Sequence, residues 1–186
     1  MRVTLLAATA ALLAAVALAQ QPAPAAAPQA PVANPVATAF RDNAQRVAKN
    51  LVAAAEAVPA DKYAYKPTPA QMSFGQIMVH LAEGNDFLCG TIGGQKAPQR
   101  AKIAPTASKD SLVARLKETF AFCDQALASL DDSKLGEQLP AFGGRTMTRA
   151  ALMTITTGDW ADHYSQVANY MRLNGLLPPT ARRTGT

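Results

Sequence analysis

The sequence predicts an all-α protein, a four-helix bundle preceded by a signal peptide and a Pro/Ala-rich tether. Three observations carry this. Apolar residues recur at spacings of three and four over four separate segments, strand-like alternation is almost missing, and the chain opens on a charged residue followed by a short oily run. The chain has 186 residues, and the portion beyond the leader is long enough for one ordinary domain around one core.

The opening segment has Arg2 and then an apolar stretch from Leu5 to Leu18, closing on Ala17-Leu18-Ala19. This is the layout of a secretory signal peptide with an Ala-x-Ala cleavage site over residues 1–19. A spanning helix wants about 20 apolar residues, so no stable membrane insertion is expected after cleavage. Residues 20–35 are Gln, Pro and Ala with scattered Val and Asn and no periodic apolar face. Such a stretch cannot bury enough surface to offset its ordering entropy and reads as a disordered linker. The bundle is expected over 36–180 and a tail over 181–186. An exported chain of this kind ends in the periplasm or outside the cell.

The first helix carries Val36, Phe40, Val47, Leu51 and Val58, filled in by Ala44, Ala48, Ala54 and Ala55. A proline-marked crossing comes next, from Pro59 to Pro69. Ser73 and Gln76 then form a capping-box pattern, hydroxyl first and amide three residues on. The second helix places Phe74, Ile77, Met78, Leu81, Leu88 and Ile92 on its stripe and stops at Gly93-Gly94. Ser108 can cap the third, whose stripe is Leu112, Leu116, Phe120, Cys123, Leu127 and Leu130. Leu139 to Arg145 contains a Gly-Gly turn with a brief extended pair around it. The fourth helix starts near Thr148 with Leu152, Ile155, Val167, Tyr170 and Leu173 on its stripe. It ends on Asn174-Gly175, with Leu176 for the accompanying apolar contact and Pro178-Pro179 preventing continuation.

Removing residues 1–19 takes away Arg2, leaving 17 basic against 13 acidic side chains and a net charge of +4. Lys49, Lys62, Lys96, Arg100, Lys102, Lys109, Arg115 and the late Arg182-Arg183 are scattered rather than gathered with aromatics. Nucleic-acid binding needs a focused basic stripe, so no nucleic-acid partner is expected. Cys89 and Cys123 lack the Cys-x-x-Cys arrangement of redox thiols, and neither opens a helix where its pKa would fall. Both lie on apolar faces of neighbouring helices in a chain bound for an oxidising compartment, which predicts a Cys89–Cys123 disulfide, with two buried free thiols as the alternative.

The only two histidines carry the candidate chemistry. His80 sits on the rim of the second helix's apolar face, and His163 on the packing stripe of the fourth, one turn after Asp159. An ionisable pair directed inward is costly without partners. His80, Asp159 and His163 either form an open two-histidine, one-carboxylate site for a divalent metal, or a hydrogen-bonded polar plug between helices.

Phe74-Gly-Gln-Ile-Met-Val-His80-Leu-Ala82, with Asp162-His163-Tyr-Ser-Gln166 and Tyr170-Met-Arg-Leu-Asn-Gly-Leu-Leu-Pro-Pro179, resembles the DinB-like superfamily over about Val36 to Pro179. The resemblance implies a four-helix bundle, often a homodimer. It also implies a divalent-metal site of one histidine on the second helix and a His-x-x-x-His pair on the fourth. His80 and His163 match two of those positions. Asp159 stands where the family pattern has histidine, a departure that shifts preference toward harder ions among Zn, Ni, Fe and Mn. Relatives include enzymes that attach or isomerise with low-molecular-weight thiols. The implied activity is therefore a metal-dependent hydrolase or thiol transferase acting on a small-molecule substrate, the metal serving as Lewis acid. The alternative is a non-catalytic bundle that binds a ligand or partner and whose His/Asp cluster is structural. Asp162 is expected to face solvent, and Tyr164, Gln166 and Arg172 have no catalytic role in this reading.

Overall fold

The structure, a computed structural model, describes residues 30–182, and the fold is that of the unit beginning at Val32. The predicted signal peptide, the tether up to residue 29 and the tail beyond Arg182 lie outside the described residues.

Four long helices appear in the predicted order: α1 (Pro35–Ala57), α2 (Phe74–Gly93), α3 (Lys109–Leu127) and α4 (Arg149–Leu173). A short hairpin, β1 (Gln138–Pro140) antiparallel to β2 (Thr146–Thr148), sits at the predicted Gly-Gly turn and leads directly into α4. Among the described residues no helix is long and apolar enough to cross a membrane.

The helix ends obey the local chemistry. Ser73 accepts from the Gln76 amide while the Gln76 side chain accepts from the Ser73 amide, completing the capping box of α2. Ser108 and Thr148 accept from the third amide of α3 and α4. At the end of α4 Gly175 adopts φ 72°. The Leu176 amide reaches back to the Met171 carbonyl at 2.9 Å and the Gly175 amide to Arg172 at 3.0 Å, the paired bonds of a Schellman ending. The start of α1 is capped from a distance: Asp132 accepts from the amides of Val36 and Ala37, and its own amide donates to the Asn34 side chain. At the other end of α1, the buried Tyr63 hydroxyl donates to the Ala55 carbonyl at 2.7 Å, satisfying one of its orphan carbonyls.

The core runs between all four helices, and most predicted stripe residues are in it. Two parts of the pattern fail. Val36 lies in the first turn of α1, half exposed, and Ile155 and Leu173 point outward from α4 at 37% and 64% exposure. The stripe of α4 keeps the predicted Leu152, His163, Val167 and Tyr170 and runs through Thr156 and Trp160 in place of Ile155 and Leu173. Thr156 can occupy that stripe because its hydroxyl donates to the Leu152 carbonyl at 2.7 Å, leaving its methyl to pack.

Helices α2 and α3 are in close contact. A Cβ on Gly93 would run into the Ala126 carbonyl, so only glycine permits this contact. On the same interface Cys89 and Cys123 form the predicted disulfide, with Cα atoms 5.1 Å apart.

Candidate metal centre

Rotation of α4 is set by Trp160, which is 1% exposed and packs its ring against Phe40 and Phe120 at centroid distances of 5.9 and 6.1 Å. Its indole N–H donates to the Asn85 side-chain oxygen of α2 at 2.8 Å, and the Asn85 amide donates to Thr119 of α3 at 3.3 Å. This buried polar chain ties three helices together next to the candidate site. With Trp160 fixed inward, Asp159 and His163 are turned toward the rim where α2 carries His80.

The three predicted residues converge. His80 Nε2 lies 3.3 Å from Asp159 Oδ1 and His163 Nε2 lies 3.4 Å from the same oxygen. The two imidazole rings meet edge to face with centroids 4.5 Å apart. One ligand atom from each residue lies within 4.8 Å of the others. Exposure is graded across the cluster: the side chains of His163, Asp159 and His80 are 8%, 27% and 47% exposed, so the inner wall is closed and the His80 side faces solvent.

The electrostatics are coupled. Burial by itself would raise the Asp159 carboxyl, but hydrogen bonds and charge from His163 and His80 outweigh it and hold the group below its ordinary value. Burial would likewise depress His163, yet the Asp159 carboxylate, aided by Asp162 and Gln166, pushes it above its ordinary value. Asp162 itself is exposed, as expected, and accepts from the Gln166 amide at 2.8 Å. The Gln166 side chain approaches the His163 ring closely enough to favour protonation, but no hydrogen bond to His163 Nδ1 closes, and that buried nitrogen has no partner.

The donor set suits a divalent cation. Both imidazole Nε2 atoms are aimed at one carboxylate oxygen, so three donors face a common point, and a cation there would take over from the protons the carboxylate now shares. The unpartnered Nδ1 of His163 is a position for the outer hydrogen bond by which ligating histidines are commonly oriented. Tyr164, by contrast, is spent on Thr180, its hydroxyl donating at 2.9 Å. Sequence reasoning missed Asn85 and its link to Trp160. Its signal was present: Asn85 falls four after Leu81 and seven after Met78, on the buried stripe of α2.

A helical bundle with a His/Asp/His cluster between its second and fourth helices is the class of protein that this geometry defines. The family model described as the DinB superfamily matches residues 43–167, and the chain belongs to that superfamily. A DinB-like protein from Bacillus subtilis has the same fold, with TM-score 0.62 and 21% identity, covering 78% of this chain and 99% of that one. A conserved protein from Enterococcus faecalis has TM-score 0.60 and 15% identity, over 74% of this chain and 96% of that one. A mycothiol-dependent maleylpyruvate isomerase aligns at TM-score 0.56 and 12% identity, over 70% of this chain and 60% of that one. No curated protein matches the sequence.

Proposed function

We propose that the chain is an exported, metal-dependent member of the DinB superfamily that acts on a small molecule, with His80, Asp159 and His163 holding one divalent cation. The observation that carries this is the convergence of three ligand atoms from two helices within 4.8 Å. A cation held there supplies Lewis acidity, lowering the pKa of a bound thiol or water. Asp159 brings the compensating negative charge, and its depressed pKa keeps it ionised and ready to ligate at neutral pH. Buried His163 forms the inner wall. Half-exposed His80 marks the side from which a small molecule enters.

The reaction classes this supports are hydrolysis and transfer or isomerisation with a low-molecular-weight thiol. The thiol reading is favoured by the mycothiol-dependent isomerase among the proteins of like fold. Metal analysis of protein purified without an affinity tag tests the proposal: one equivalent of a first-row divalent metal in wild type, lost in His163→Ala, is the expected result.

A second reading has one observation in its favour. Asp159 Oδ1 lies within reach of both imidazoles, so the cluster can close on itself as a polar plug in a ligand- or partner-binding bundle. Wild-type protein that stays folded and takes up no metal decides for the plug.

A further inference from the structure

Beside the His/Asp/His cluster, α4 borders a second feature. A cleft of about 390 Å³ opens between the last turns of α4 and the crossing that precedes α2, lined by Gln166, Asn169, Arg172 and Leu173 on one side and Pro67 and Gln71 on the other. Two observations set it apart from an ordinary surface groove.

The first is the state of Arg172. Every other arginine among the described residues spends its guanidinium on a protein oxygen: Arg41, Arg46, Arg100, Arg115, Arg145, Arg149 and Arg182 each donate to a carbonyl or side-chain acceptor. Arg172 makes no ion pair among these residues, although it lines the cleft. The second is Gln166, which belongs to the cleft wall and follows His163 on α4. It stands three residues, about 4.5 Å of helix rise, beyond His163.

We propose that this cleft takes the carboxylate end of a small organic acid whose other end reaches the His80–Asp159–His163 cluster. Calling that acid the substrate rests on the metal-dependent reading above. A free guanidinium presents the planar fork that matches a carboxylate with two parallel hydrogen bonds. Asn169 and Gln71 add neutral amide donors without adding charge. Leu173, 64% exposed, and Pro67 offer an apolar wall to an aliphatic or aromatic body. A competing explanation is that Arg172, in the last turn of α4, serves only the negative end of the helix dipole.

Suberate, a flexible dicarboxylate, is the probe, with uncharged 1,8-octanediol as its control. Both are titrated into the mature protein, metal-free and after loading with zinc. The expected result is suberate binding without octanediol binding, weakened at least about tenfold in Arg172→Gln, with zinc affinity unchanged in that variant. Zinc loading tightens suberate further in wild type. His163→Ala loses the zinc-dependent gain. Octanediol binding as well as suberate, no suberate binding by wild type, or full affinity in Arg172→Gln overturns the proposal. Wild type that takes no zinc yet binds suberate through Arg172 upholds the carboxylate cleft and removes the metal reading instead.

Discussion

Trp160 of α4 donates its indole N–H to the side-chain oxygen of Asn85 on α2 at 2.8 Å, with both residues 1% exposed. Asn85 passes the connection on to Thr119 of α3, so one amide satisfies polar groups from two other helices. Asn85→Ala strands the indole N–H in the core and removes the donor to Thr119, whose hydroxyl keeps its bond to the Leu116 carbonyl at 3.1 Å. It is expected to cost about 2–3 kcal/mol in urea unfolding. Trp160→Phe should remove a similar amount and loosen the phase of α4. A loss under about 0.5 kcal/mol for Asn85→Ala would show that the chain of hydrogen bonds does not position this helix.

The Cys89–Cys123 bridge closes a sequence separation of 34 residues across the α2–α3 contact. Reduction under native conditions should lower unfolding free energy by about 3–4 kcal/mol, chiefly by freeing the unfolded chain. Thiol titration of denatured, unreduced protein checks the bridge itself. No free sulfhydryl is expected, and two would refute it.

The coupled pKa shifts give the metal-free cluster a defined pH behaviour. Raised above its ordinary 6.5, His163 contributes stability that is complete below 6.5 and fades as pH rises through the folded-state value. Lowered below its ordinary 3.8, Asp159 contributes stability that is complete above 3.8 and fades as pH falls through its own folded-state value. The cluster therefore supports the apo fold most between these two ordinary values, and less at pH 8 than at pH 6. Metal must displace the His163 proton, so zinc affinity should rise with pH by up to about tenfold per unit while that histidine is protonated. Affinity flat from pH 6 to 8 would mean that His163 does not ligate.

Much of this fold was legible. Ser73, Ser108 and Thr148 announce helix starts because a hydroxyl before an apolar stripe satisfies orphan amides locally, and Asn174-Gly175 announces an end because only a left-handed residue closes it. The cluster was legible too, since His80 on a rim and Asp159 and His163 one turn apart are set by helical periodicity. What was hidden depended on partners distant in sequence. The stripe of α4 was read through Ile155 instead of Thr156 and Trp160, because a threonine that hydrogen-bonds its own helix packs like an apolar residue. The cap on α1 comes from Asp132, almost a hundred residues away, and leaves no local trace.

Export is tested by the N-terminus. Intact mass of the secreted protein should correspond to a chain starting at or near Gln20, soluble without detergent. Retention of residues 1–19, or recovery only in the membrane fraction, would contradict the signal-peptide reading.

Calorimetric titration of zinc, nickel and manganese into demetallated wild type, His163→Ala and Asp159→His tests the metal centre most directly. Wild type should bind one equivalent, and His163→Ala none, while remaining folded. Asp159→His should tighten zinc and nickel relative to manganese, because a third imidazole replaces the carboxylate. If folded wild type and folded Asp159→His both give no binding heat and no metal content, His80, Asp159 and His163 are a polar plug and the metal-dependent account is wrong.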